Sequence, residues 1–185
     1  FCKWHNDASL REVITYAVHW YLASNGDSTP ESATVSAQIA LELISWVMLV
    51  ERGRILSEKA FESISVDERV LMILKVLNIP TNIPEELAHL YEFCSKPSKG
   101  NQPINSGAEA ITFFRNKTIH PTAKSRASLT ALSVDAKYEA SELGVYYVEL
   151  LLLALWGYLG DVNNRIRRAT EPVPWKERNR GILQF

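Results

Sequence analysis

Arg115-Asn116-Lys117-Thr118-Ile119-His120, followed by Pro121, gathers a fixed cation, an amide and a titratable imidazole into six consecutive residues. Metal-independent cleavage of RNA calls for these groups. The 2′-hydroxyl of RNA is the nucleophile: a base removes its proton, an acid protonates the departing 5′-oxygen, and a cation stabilises charge on the phosphorane. Histidine suits the proton transfers near neutral pH. Arginine suits the phosphate, because its planar fork holds two oxygens. One His and one Arg are a sparse set for the whole cycle, and two copies facing each other across a two-fold axis would supply two of each.

The spacing places these groups at the end of a helix predicted from about Gly107 to Ile119. Residues 116 and 120 are four apart and share a helix face, so Asn116 can hydrogen-bond and orient the imidazole of His120. Arg115 lies one residue back, about 100° round the helix. Pro121 disfavours helical geometry at His120, so the helix ends there. The negative end of the helix dipole at that point favours an imidazolium. Eleven Arg and four His in 185 residues give by chance about 0.24 pairs at this spacing, and about 0.01 with Asn after the Arg. A plainer reading stays open, in which Arg115 makes a surface salt bridge and His120 only caps the helix.

The bulk composition frames this site. The chain has 185 residues, 46% hydrophobic and 22% charged, with a net charge of −1. That is one globular domain, 1–185, long enough to bury a core. Near-neutrality argues against binding nucleic acid over the whole surface. The charge is uneven, however. Between residues 96 and 126 six cations face only Glu109, a net +5, and residues 161–180 carry +3, leaving −9 elsewhere. Lys117, Lys124 and Arg126 are the candidate substrate-binding cations around the motif, whereas the charges of the tail read as solvated loop charges. The two cysteines, Cys2 and Cys94, have no metal or redox spacing and fit a reducing, cytoplasmic setting. The start at Phe1-Cys2-Lys3-Trp4 reads as a cut through a larger protein, with no signal peptide.

Apolar periodicity organises the chain into helices. One runs from about Asp7 to Ser24. Thr29-Pro30 is a cap followed by proline at the first helical position, and that helix continues to about Glu51, with Gly53 ending it. Short helices are predicted at 57–64 and 67–77, and another opens at Pro84 and ends near Cys94. Residues 95–107 and 121–132 read as loop or irregular structure. A last helix, about Val134 to Leu159, carries the run Leu150 to Leu155. It is too short for a membrane span and contains Glu149, so it reads as a central core helix, possible interface included. Trp20, Trp46 and Trp156 fall on apolar stripes and read as core. No strand pattern or internal repeat is evident. The class is all-α, a helical bundle with accessory short helices.

Arg-Asn-x-x-x-His near the end of a bundle helix resembles the signature of the HEPN superfamily, in which Arg is followed by a polar residue and then His. More of the chain resembles its ApeA-like branch. The supporting stretches are Trp4-His5-Asn6, Trp20-Tyr21, Leu41-Glu42-Leu43, Ile83-Pro84, Ala110 to Pro121, Tyr147 to Leu150, Gly157 to Gly160 and Val173-Pro174-Trp175. The resemblance implies a helical bundle that dimerises with its two motifs together, and metal-independent endoribonuclease activity deployed in toxin action, phage defence or abortive infection. It makes Arg115 and His120 the catalytic pair and Asn116 the orienting polar residue. It also implies RNA as substrate and an N-terminal sensor region in the full-length protein; no cofactor and no membrane association are expected. Some HEPN domains only bind nucleotides or partner proteins, so fold alone does not settle activity.

Other sites are weak. His5, His19 and His89 lack ligand spacing, and no phosphate-cradling glycine loop or nucleophile elbow is present. Glu42 and Glu149 interrupt apolar stretches. Each reads first as a polar helix edge, with pairing to an Arg (Arg11 for Glu42) or a place in the cleft as the alternative. Phe113 and Phe114 read as one packed inside and one at an interface; either can stack a base, with packing the preferred role. Two competitors to the ribonuclease reading remain: a non-catalytic nucleotide- or protein-binding module, and a purely structural dimerisation domain.

Overall fold

A computed structural model of the chain describes residues 7–26, 29–96, 103–120, 122–123, 127, 129–130 and 132–176. Helix α1 spans Ala8–Asn25, capped by Asp7, whose side chain accepts the Leu10 N–H. Helix α2 spans Pro30–Trp46, with Thr29 as cap and Pro30 at its first position. It runs on into a π-helical turn, Val47–Arg52. Gly53 closes that turn with its N–H on the Met48 carbonyl, where a Cβ would overlap that same oxygen. Arg52 at the end of the turn reaches back to Asp7 at 2.6 Å. The hydrogen bond from this guanidinium, helped by the Leu10 N–H, holds the Asp7 carboxyl at about 2.

Short helices α3 (Glu58–Ser63) and α4 (Val66–Val76) follow, then α5 (Ala88–Ser95). The helix expected to open at Pro84 starts later. Pro84 instead begins a turn closed by the Leu87 N–H on its carbonyl at 3.1 Å. Helix α6 is Gly107–Ile119, and α7 is Val134–Leu155. Among residues 121–132, Ala123, Ala127, Leu129 and Thr130 have helical geometry, so that segment is not irregular throughout.

Helix α7 is the axis of the bundle. It packs against α1, α2, α5 and α6, and Leu143, Val148, Leu150 and Leu151 are sealed from solvent. Gly144 lets α2 approach closely, since a Cβ there would lie 3.1 Å from Ala37 Cβ. The helix ends at Leu155, earlier than expected. Gly157, at φ 70°, donates to Ala154 while Tyr158 donates to Leu153, the hydrogen-bond pattern of a left-handed helix cap. Trp156 therefore falls beyond the core and is 48% exposed, against the sequence expectation. Trp20 and Trp46 are only partly buried. Among the described residues the fully buried tryptophan is Trp175, whose indole N–H donates to the Tyr158 carbonyl at 2.8 Å. The stretch Pro30–Arg52 is long and apolar enough to cross a membrane by length and composition alone, but most of its apolar window is buried inside the bundle.

Two short strands, β1 (Asp161–Asn164) and β2 (Ala169–Pro172), form an antiparallel ribbon that the sequence did not announce. Its turn carries Arg165, which corrects the reading of the tail as solvated charge. Arg165 donates to Glu149 at 3.1 Å and to Asn25 at 2.8 Å, and lies 3.3 Å from Glu142. Tyr21 also donates to Glu149 at 3.0 Å, so this network pins α1, α7 and the ribbon together. Burial pushes the Glu149 carboxyl up, while Arg165 and the Tyr21 hydroxyl pull it down. Glu149 is thus a paired carboxylate in the scaffold. Glu42 makes no ion pair with Arg11 among the described residues.

A second clasp joins α5 to α7. His89 Nδ1 lies 2.8 Å from Glu139, Glu139 also accepts the Leu90 N–H at 2.7 Å, and Asp135 lies 3.9 Å from His89 Nε2. The hydrogen bond to Glu139 leads the effects that raise His89 above its ordinary 6.5. A raised folded-state value stabilises the fold fully below about pH 6.5 and fades as pH climbs through the raised value. The stability difference between the parent and His89→Gln is therefore expected to be larger at pH 6 than at pH 9, as read from Tm at both pH values.

Candidate functional site

Helix α6 is anchored at its start and solvent-facing at its end. Ser106 caps the helix by accepting the Glu109 N–H at 3.1 Å, and Glu109 accepts the N–H of Asn105, the residue before the cap, at 2.9 Å. The Gly107 N–H donates to the Thr81 carbonyl at 2.8 Å. A Cβ at Gly107 would overlap the Tyr147 hydroxyl, which donates to the Pro80 carbonyl at 3.1 Å. Thr112 donates to Gln38 of α2 at 3.3 Å. Ala108, Ala110, Ile111 and Phe114 are buried against α2, α4 and α7. Burial then tapers: Arg115, Asn116, Lys117 and Thr118 are half-buried, and Ile119 and His120 are exposed.

The helix ends at His120 as the sequence requires. His120 has extended geometry, φ −87° and ψ 117°, and its backbone N–H reaches the Asn116 carbonyl at 3.3 Å. The side chains pair differently from the expectation. Asn116 Oδ1 accepts a hydrogen bond from Arg115 Nη1 at 3.0 Å, and the His120 ring has no side-chain partner among the described residues. His120 is the non-helical cap residue, so four-residue spacing no longer fixes its ring over Asn116. Asn116 still has a second lone pair on Oδ1 and its two Nδ2 protons to donate. Arg115 keeps further N–H donors beside them. The pair therefore sets several N–H donors side by side, a grouping that a phosphate oxygen can use.

The cations here are unspent. Arg115 and Lys117 ion-pair with no carboxylate among the described residues, unlike Arg52, Arg165 and Arg167, which all do. Lys117 Nζ sits over the Phe113 ring, 5.1 Å from its centroid. Lys124 and Arg126, the other two candidate substrate-binding cations, lie outside the described residues, as do Pro121, Cys2 and His5. Cys94 is buried, and burial pushes its thiol up to about 12, so it is a packing residue and no nucleophile. Among the described residues no three His, Cys, Asp or Glu side chains are placed to hold a metal ion. The donor pairing of Asn116 was the feature missed from sequence; its adjacency to Arg115 was the available signal.

These features define a helical bundle domain with an unpaired cationic helix end. It matches the YopA C-terminal domain over residues 7–174, and the chain belongs to that family. It is similar to the SPbeta prophage-derived uncharacterized protein YopA of Bacillus subtilis (strain 168), 31% identical over 179 residues. The matched region covers 94% of this chain and 38% of that relative, so the chain spans well under half the relative's length. No solved structure matches.

Proposed function

We propose that this domain is a metal-independent endoribonuclease of HEPN type, acting as a homodimer that joins two copies of Arg115 and His120. The observation that carries the reading is the state of Arg115: half-buried, locked by Asn116 and unpaired with any described carboxylate, five residues before an exposed histidine at the helix end. A half-buried guanidinium with no carboxylate beside it keeps N–H donors available for an anionic ligand. In the reaction, Arg115 and Asn116 hold the non-bridging phosphate oxygens. His120 of one copy takes the 2′-hydroxyl proton, and the second copy's His120 protonates the 5′-oxygen. Lys117, Lys124 and Arg126 attract the flanking phosphates.

The setting follows the same line. The relative's prophage origin is in keeping with a role in phage exclusion or abortive infection, in the cytoplasm, with a sensor region elsewhere in a longer protein controlling the cut. The test is cleavage of single-stranded RNA in EDTA by the parent, Arg115→Ala and His120→Ala. Both variants are expected to lose cleavage with the fold retained, and undiminished cleavage by either would sink the catalytic assignment. A second reading has one observation in its favour: among the described residues no side chain orients the His120 ring. It is a non-catalytic nucleotide- or protein-binding module, which would show nucleotide-induced thermal stabilisation without turnover.

A further inference from the structure

We propose that Phe113 is a stacking platform for a nucleobase of single-stranded RNA bound at the Arg115–His120 site, a subsite that rests on the ribonuclease reading above. The two adjacent phenylalanines of α6 have different environments. Phe114 is buried, 2% exposed, and is explained by packing. Phe113 is only partly buried at the rim of the core. Phe93 and Phe114 meet its ring at tilted or edge-on angles, with centroids 5.6 and 5.7 Å away. The described group poised over the ring is the Lys117 ammonium. Lys117 over the ring is itself only half-buried, so the side chain that covers this face is a solvated one and can move away.

Helix periodicity sets this ring on the face of Asn116, Lys117 and His120. Arg115 springs from about 160° round the helix and reaches that face through its hydrogen bond to Asn116. Residues 113, 116, 117 and 120 follow the spacing that shares one helix face. Phe113 is seven residues from His120, about 10 Å along the axis, no more than about three stacked nucleotides and fewer in an extended strand. A π face next to a free ammonium suits a base together with its phosphate: the base covers the ring and Lys117 moves to the phosphate. Bases inside a duplex cannot reach such a ring, so the ligand is single-stranded.

The test uses the full chain carrying His120→Ala, so that bound RNA survives. The probes are a short oligouridylate and an abasic ribose-phosphate oligomer of equal length. Phe113→Leu keeps the apolar contact and removes the π face. It is expected to weaken oligouridylate binding by about 5- to 150-fold and to leave the abasic oligomer unchanged, while Phe113→Trp binds at least as tightly as Phe113. A 2-aminopurine base in the oligomer should also be quenched on binding to the unaltered ring, a readout that needs no core substitution. Equal binding of both probes by Phe113→Leu and Phe113, or no quenching at saturation, overturns the subsite but leaves the ribonuclease reading standing. Failure to bind either probe even at low salt overturns both.

Discussion

Arg115→Ala is expected to lower RNA cleavage by about two to three orders of magnitude, and His120→Ala by about two to four. The loss at Arg115 is one of transition-state stabilisation, so kcat should fall with kcat/KM. Arg115→Lys is not expected to rescue it. Asn116 Oδ1 engages one end of a planar fork, and an ammonium offers neither that geometry nor paired donors to phosphate. Asn116→Asp is the informative companion. A carboxylate there would fill the donors of Arg115 and face the substrate with negative charge, so cleavage should fall further than in Asn116→Ala. If Asn116 served His120 instead, Asp would be tolerated, since a carboxylate orients an imidazolium well. The order of those two variants therefore separates the two roles.

Leu151→Ala is expected to cost about 2–5 kcal/mol of stability, while Leu159→Ala changes it by about half a kcal/mol or less. Both leucines belong to the apolar stretch that follows Val145 in sequence. Leu151 is sealed in the core between the bundle helices, whereas Leu159 lies past the helix end and is 48% exposed. Removing buried methyls loses transfer free energy and leaves a cavity that the surroundings only partly close. In a domain of ordinary marginal stability, the first loss is a large fraction of the whole. Urea midpoints at unchanged m-value would read both effects. Similar costs at the two positions would contradict the helix end at Gly157.

The helices were legible because their signals are local. Thr29-Pro30 caps as its sequence predicts, Ser106 and Ser133 prove to cap the helices expected from Gly107 and Val134, and apolar periodicity set the faces. The ribbon was not legible. Asp161-Val162-Asn163-Asn164 and Ala169-Thr170-Glu171-Pro172 show no alternation of apolar and polar residues. Side chains far apart in sequence hold it: Trp175 on Tyr158, and Arg165 on Glu149. One local clue was present. Asn164 accepts the Ile166 and Arg167 N–H groups, a turn habit of asparagine. Trp156 was misread because an apolar stripe says nothing about where a helix stops, and Gly157 stopped it. At the site, spacing brought Arg115, Asn116 and His120 to one helix end. Which neighbour Asn116 would meet depended on the extended geometry of His120, which four-residue spacing does not encode.

Metal-free transesterification leaves a chemical signature that can be read on the products. The decisive measurement is the end groups of RNA fragments made by the purified full chain in EDTA. Attack by the 2′-hydroxyl yields a 2′,3′-cyclic phosphate on one fragment and a 5′-hydroxyl on the other, and a 2′-deoxy residue at the cut site should block the reaction. Those ends, absent with His120→Ala, are the expected result. Fragments carrying 5′-phosphates, or cleavage that EDTA abolishes, would contradict the assignment of Arg115 and His120 as the cutting pair.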